Sequence, residues 1–379
     1  MSMPRRWPAF GSRIPRDVGP IGIDFQEDRV YGVQVERRTG AFEQRELRSV
    51  RSGLPPEALV GSSKDLRRVL GELFRRSRFK GRRVVTRVLS KDLRLMVLSY
   101  KLDTALSEPA QIMGLCRERM RDDLGGHVVD YVPIRTSGDQ QGERSALVAI
   151  APEDPVIHQL EALRRAGLQV EALEIGPVAI WRVFATLVNR PTLDVALILQ
   201  LGFDSTQLIL ISGRRLLLYR EVEIGFSTVF DGVAKALDCD AEAARDLLAS
   251  YGVGGALDAD HEELEFGATG PAADGAGDIV TTLRETVRPA LRGIVEQAHK
   301  VVSYAAFQTR GMSLDRIYLM GGASPCPGLS GLLSEMLQVP VQLFEPLGAV
   351  SGMKRVADGI DDQSYVVALG MALRGMTDG

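Results

Sequence analysis

Apolar residues recur along the chain at two spacings, every second residue and every third or fourth, and the switches between them lay out its elements. After an opening rich in proline and arginine, "VGPIGIDFQEDRVYGVQVERRTGAFEQRELRSV" places Val33 and Val35 at alternate positions. It predicts strands joined by a turn at Thr39 and Gly40, an opening β meander. "SSKDLRRVLGELFRRSRF" then sets Leu66, Val69, Leu70, Leu73 and Phe74 at helical spacing, with Ser63 as the expected cap. The pattern restarts between Arg82 and Pro177. "RRVVTRVLS", "LRLMVLSY", "HVVDYVPI", "SALVAIAP" and "QVEALEIGP" predict strands. Two helices interleave them: "SEPAQIMGLCRERMRDDLG", with Met113, Cys116, Met120 and Leu124 on one face, and "EDPVIHQLEALRRAGL", ending at Gly167. This stretch reads as an α+β module set inside a larger unit.

"DVALILQLGFDSTQLILISGRRLLLYREVEIG" repeats the logic of the first meander. Helices follow it, the second capped by Asp240. The segment from Gly252 to Asp278 is rich in glycine, alanine and acids, which predicts a mobile surface loop. A long helical pattern, expected to bend near Pro289, leads into "LDRIYLMGGASPCPGL". There a strand ends in Gly321 and Gly322, a pair that either turns a corner or lets the backbone lie close to a ligand. "SGLLSEMLQVPVQLFEP" and a closing helix, "SYVVALGMALRG", complete the chain.

Composition narrows the class. The 379 residues are 45% hydrophobic, enough for two lobes with substantial cores. A net charge of −3 from 46 basic and 49 acidic residues gives no general attraction to nucleic acid. Cys116, Cys239 and Cys326 lie far apart and without metal-ligand spacing, which suits a reducing compartment. The four histidines, His127, His158, His261 and His299, are scattered and have no partners at ligand spacing. No window approaches the roughly 20 apolar residues that span a bilayer, and the opening segment lacks a signal-peptide core. "GVGGAL" follows a helix rather than a strand, which argues against dinucleotide binding.

Two meanders, each followed by helices, with a long helix feeding a strand that ends in Gly-Gly, resemble the actin-like ATPase fold. Within it the chain is similar to the FtsA/PilM branch, and most to the PilM-type proteins of type IV pilus assembly. The residues that carry the likeness are "IGIDF", "LVAIAPEDPVIHQLEALRRAGLQVEALEIGPVAIWRVF", "LGFDSTQLILISGRRLLLYREVEIG", "IYLMGGASPCPGLSGLL" and "SYVVALGMALRG". The resemblance implies an α/β, ribonuclease H-like two-lobed fold with an extra α+β subdomain in the first lobe. It sets a flexible leader at 1–17 and a first lobe at 18–190 that includes the subdomain at about 82–177. A second lobe follows at 191–355 with a mobile loop at about 252–278, and 356–379 returns to the first lobe. It also implies a nucleotide cleft whose candidate residues here are Asp24, Gly202, Ser205, Thr206, Gly225, Gly321, Gly322 and Ala323. In such clefts backbone N–H groups of tight glycine turns approach phosphate, a carboxylate holds Mg²⁺ through water, and hydroxyls donate to phosphate oxygens.

The cleft departs from that pattern. At the first hairpin Gln26 stands where the family carries glycine, Glu27 and Asp28 replace small polar residues, and Tyr31 replaces a lysine. Two like charges about 4 Å apart repel by roughly 4 kcal/mol at a surface-like dielectric, so carboxylates facing a triphosphate oppose it; alternatively Glu27 and Asp28 decorate an exposed turn. At the second hairpin Gln200 stands in place of an acidic residue, and Phe226 in place of the second glycine after "EVEIG". A neutral amide does not replace a carboxylate in attracting Mg²⁺. Residues that address the ribose in the family fall at Arg245 and Leu248. No catalytic residue and no protein-held metal are expected, and ATP with Mg²⁺ is expected to bind weakly at most.

The resulting expectation is a cytoplasmic scaffold, at the inner face of the inner membrane through its partners. It would bind the N-terminal tail of a PilN-like inner-membrane assembly protein, with self-association open and nucleic acid excluded. The alternative is a working ATP-binding switch or slow ATPase of the same family. A cell-division actin homologue and a type II secretion subunit fit less well, since an amphipathic anchor or a transmembrane helix is expected after "RGMTDG" in those.

Overall fold

The computed structural model describes residues 17–26, 29–38, 41–103, 105–120, 124–134, 142–188, 195–254, 276–308, 314, 316–322, 326–345, 350 and 362–376. Among them lie three sheets. The first starts as the expected meander, β1 (Ile21–Phe25), β2 (Arg29–Arg38) and β3 (Ala41–Arg51). It continues with β4 (Arg83–Arg87) parallel to β1 and β8 (Gln169–Glu174) parallel to β4, in the order β3-β2-β1-β4-β8. The inserted three-stranded sheet has the order β5-β7-β6, from β5 (Arg94–Lys101), β6 (His127–Ile134) and β7 (Glu143–Pro152).

The remaining sheet repeats the first. Antiparallel β9 (Val195–Leu201), β10 (Thr206–Ser212) and β11 (Arg215–Val222) are extended by parallel β12 (Arg316–Met320) and β13 (Val341–Leu343), in the order β11-β10-β9-β12-β13. Three antiparallel strands flanked by two parallel ones, twice over, make each lobe ribonuclease H-like and the pair actin-like.

Side-chain alternation sorts the helices into layers. In β9 the residues Val195, Leu197, Leu199 and Leu201 face one core and Ala196 and Ile198 the other. The outer core of this lobe is closed by α6 (Ser227–Leu237), α7 (Ala241–Tyr251), α8 (Ala276–Gln308) and α9 (Leu329–Leu337). The inner core joins both sheets through α5 (Gly176–Val183), a π-helical turn at Phe184–Val188, and α10 (Val366–Ala372). Outside the first sheet sit α1 (Pro56–Gly61), α2 (Ser63–Phe74) and α4 (Glu153–Arg165), and α3 (Glu108–Met120) covers the inserted sheet.

Small residues let α10 lie very close to its neighbours. A Cβ on Gly22 of β1 would stand 1.9 Å from the Ala368 carbonyl oxygen, and one on Gly370 would stand 2.0 Å from that of Ala179. Burying charge beside this contact requires pairing. Glu174, buried at the end of β8, receives Arg182 of α5 and Arg374 just beyond α10, the latter at 2.9 Å, while Arg182 also donates to the Gly370 carbonyl. The end of the chain is thereby fastened to the first lobe.

Several expectations need adjusting. β4 and β8 belong to the first-lobe sheet, because β4 pairs β1 and β8 pairs β4; the separate sheet of the inserted module runs only from Arg94 to Pro152, narrower than the span from Arg82 to Pro177. Ser62, not Ser63, caps α2, its Oγ accepting from Asp65 N. On α3 the buried residues are Ile112 and Cys116, with Met113 and Met120 at the margin and Leu124 buried after the helix ends. α8 runs unbroken through Pro289. The loop expected at 252–278 is shorter at both ends, since Val253 is buried and 276–278 already belongs to α8; its remainder, 255–275, lies outside the described residues, as does the leader through residue 16.

Candidate functional site

The expected cleft lies where the ends of β1, β9 and β12 approach the 3₁₀ turn Asp362–Tyr365 that precedes α10. Asp24 is the one charged residue of the fully buried strand β1, only 1% exposed. An isolated carboxylate there would be costly. It is met from the neighbouring strand by Arg87, whose Nε lies 3.0 Å from Asp24 Oδ1, and from two residues on by Gln26, whose Nε2 donates to Oδ2 at 2.9 Å. Arg87 also donates to the Phe25 carbonyl. Gln26 Nε2 reaches the Ser364 carbonyl at 2.9 Å as well. The carboxylate expected to hold Mg²⁺ through water thus has a guanidinium at ion-pair distance, without a hydrogen bond between Arg87 Nε and Asp24 Oδ1, and accepts from an amide of the protein.

Tyr31, in place of a lysine, turns inward and packs edge-to-face on Tyr365 with ring centroids 4.9 Å apart. Glu27 and Asp28 lie outside the described residues.

The second hairpin is closed in a similar way. Gly202 N donates to the Ser205 carbonyl at 3.0 Å, and a Cβ at Gly202 would stand 2.6 Å from that oxygen. Both hydroxyls are engaged within the protein, Ser205 Oγ donating to Glu221 Oε1 at 2.8 Å and the buried Thr206 Oγ1 to the Ile224 carbonyl at 2.7 Å. Gly225 lies so close to the hairpin that a Cβ would stand 2.0 Å from the Phe203 carbonyl oxygen. Phe226 N and Ser227 N, at the start of α6, donate to the carbonyls of Gly202 and Phe203 at 3.0 and 2.8 Å. Helix-start N–H groups that would otherwise suit an anion are directed at the hairpin backbone.

Phe203 is half exposed at the hairpin tip, and Arg245 stacks over both Phe203 and Phe230, 5.8 and 5.1 Å from the ring centroids. Leu248 is buried in the core of the second lobe. Gln200 has a buried Oε1 with no hydrogen-bond partner among the described residues.

The two glycines at the end of β12 have different reasons. Gly321 has φ +112°, and a Cβ there would stand 2.1 Å from the Leu201 carbonyl oxygen, so packing on β9 demands glycine. Its N–H donates to Gln363 Oε1 at 3.0 Å. Gly322 has nothing within 4 Å of a built Cβ among the described residues. Ala323 lies outside the described residues.

The 3₁₀ turn therefore contacts both lobes: Ser364 and Tyr365 meet Gln26 and Tyr31, and Gln363 meets Gly321. Sequence reasoning missed Arg87 and this turn. The available signal was a single arginine inside the apolar strand "VVTRVLS". Among the described residues, no group of three or more His, Cys, Asp or Glu side chains is placed to hold a metal ion. As placed, Asp24, Ser205 and Thr206 each contact groups of the protein, whereas Gln200 Oε1 has no partner among the described residues.

The duplicated sheets and the interlobe helices define an actin-like fold. The solved "PilM-PilN type IV pilus biogenesis complex" is similar over 96% of this chain and 100% of the other, with 23% identity and a TM-score of 0.67. Weaker likenesses are the ethanolamine utilization protein EutJ from Carboxydothermus hydrogenoformans (13% identity, 96% and 91% covered, TM-score 0.48) and MreB5 of Spiroplasma citri bound to ADP (12%, 94% and 95%, 0.44). No family model matches the chain, and no curated protein does. Among the described residues no helix is long and apolar enough to cross a membrane.

Proposed function

We propose that the protein is a cytoplasmic actin-like scaffold of a type IV pilus or related secretion assembly platform. It binds the N-terminal cytoplasmic tail of a PilN-like inner-membrane assembly protein and reaches the membrane through that partner. Its lobes are held by protein contacts rather than by nucleotide. The observation that carries the platform role is the likeness to the PilM-PilN complex along nearly the whole chain. Non-catalytic action is supported by the pairing of Asp24 with Arg87 and Gln26.

A second reading, a nucleotide-operated switch, is favoured by Gly322, beside which a Cβ would meet nothing within 4 Å among the described residues. The test is co-purification of the full chain with the N-terminal tail peptide of a PilN-like inner-membrane protein from the same organism, with and without Mg-ATP. Capture independent of nucleotide supports the scaffold, capture that requires Mg-ATP supports the switch, and no capture in either condition overturns the platform role.

A further inference from the structure

We propose that the groove between β5 of the inserted module and β11 of the second lobe binds an extended partner peptide that alternates apolar side chains and carries a carboxylate. This goes beyond the platform role and holds whichever machine the protein serves.

The groove encloses about 600 Å³. β5 is an edge of the inserted sheet and β11 an edge of the second-lobe sheet, so among the described residues each has a strand partner on one side only. Edge strands expose unpaired N–H and C=O groups and accept an added strand, while alternate side chains of that strand enter pockets. Leu95 and Val97 of β5 point to one face and stay half-buried, with no charged residue between Arg94 and Lys101 to protect the edge. Opposite them stand the half-buried Leu218 of β11 and Tyr304 of α8. The floor therefore suits small apolar side chains at two-residue spacing.

Charge selects the rest of the ligand. Glu221, the acidic residue of the lining, accepts from Ser205 Oγ at 2.8 Å and from Tyr219 OH at 3.1 Å. Arg119 and Arg220 are exposed at the rim and have no ion-pair partner among the described residues. The rim is thus cationic, complementary to a peptide carboxylate.

The probe is a phage-displayed library of random peptides selected on the full-length protein, with the leading sequence then synthesised and measured by fluorescence anisotropy. The expected selection alternates apolar residues and contains Asp or Glu. Arg220→Glu is expected to weaken the synthetic peptide at least about tenfold, as is Arg119→Glu, while Arg165→Glu on α4 leaves it unchanged. Two rim positions are used so that a folding defect in one, seen by circular dichroism, leaves the other to decide. No enriched sequence, or equal affinity for the folded rim variants, overturns the proposal. So does a concentration-dependent dimer of the protein that Arg220→Glu dissolves, since the groove would then hold a second copy of this chain.

Discussion

Arg87 and Asp24 face each other across neighbouring parallel strands, guanidinium Nε to carboxylate Oδ1 at 3.0 Å, at the position expected from the sequence to face a metal. The carboxylate is buried, so removing its cation leaves an uncompensated charge. Arg87→Ala is expected to cost about 2 kcal/mol, less than for a fully buried pair because 34% of the arginine side chain is exposed. The double variant Asp24→Asn with Arg87→Leu should recover part of that loss. Denaturant unfolding checks both, and an Arg87→Ala protein as stable as wild type would show that the pair contributes nothing.

Gly321 and Gly322 separate by substitution. Alanine at Gly321 must adopt φ near +112° and place its Cβ 2.1 Å from a backbone oxygen of β9. A loss of about 1–3 kcal/mol is expected from the backbone conformation alone, with the clash added to it. Gly322→Ala meets nothing within 4 Å among the described residues and should stay within about 0.5 kcal/mol of wild type. Equal thermal midpoints for the two variants would remove the packing reason assigned to Gly321.

The contrast shows what the sequence carried. Period-two and helical spacing marked the strands and helices because burial on one face leaves a local trace. The repeated order of the two sheets followed from two similar meanders. Sheet membership left no such trace: β4 and β8 carry the same kind of apolar run as the inserted strands, and only the pairing of β4 with β1 and of β8 with β4 separates them. At the cleft, Asp24, Gly202 and Gly321 were legible as positions that the chemistry needs. Their partners were not, because Arg87 lies 63 positions after Asp24 and Ser364 lies 338 after Gln26. Long-range polar pairs have no periodicity to read.

Stability should fall on the alkaline side. Burial pushes the Cys326 thiol up from 9.0 to about 12, and its Sγ contacts the Leu248 carbonyl at 3.5 Å. A raised folded-state value means stability is fully present below the unfolded thiol's pKa and is lost as pH climbs toward 12. Burial and the neighbouring Glu221 push Tyr219 up as well and add to the same trend. In Cys326→Ala the decline between roughly pH 9 and 11 should be shallower, by at most about 1.4 kcal/mol per pH unit. Chemical unfolding at stepped pH measures this, and identical slopes for wild type and variant would show that the thiol ionises freely in the folded protein.

Nucleotide offers the most direct comparison between scaffold and switch. Asp24 is paired with Arg87 and Gln26, Ser205 and Thr206 donate to protein acceptors, and the first N–H groups of α6 are directed at the second hairpin. Binding Mg-ATP would have to break several of these contacts, each worth about 1 kcal/mol or more when left unmade in a buried site. Isothermal calorimetry is therefore expected to show no Mg-ATP binding in the micromolar range, and thermal unfolding no shift at millimolar Mg-ATP. A true micromolar site would stabilise the fold by about 2.7 kcal/mol at a hundredfold excess of ligand, well above detection. Adenosine without phosphates is the informative control, because among the described residues nothing stands within 4 Å of a Cβ built on Gly322, which was expected to lie beside adenosine. Micromolar Mg-ATP affinity that exceeds adenosine affinity would mean that the phosphate cradle still works and that the protein is a switch.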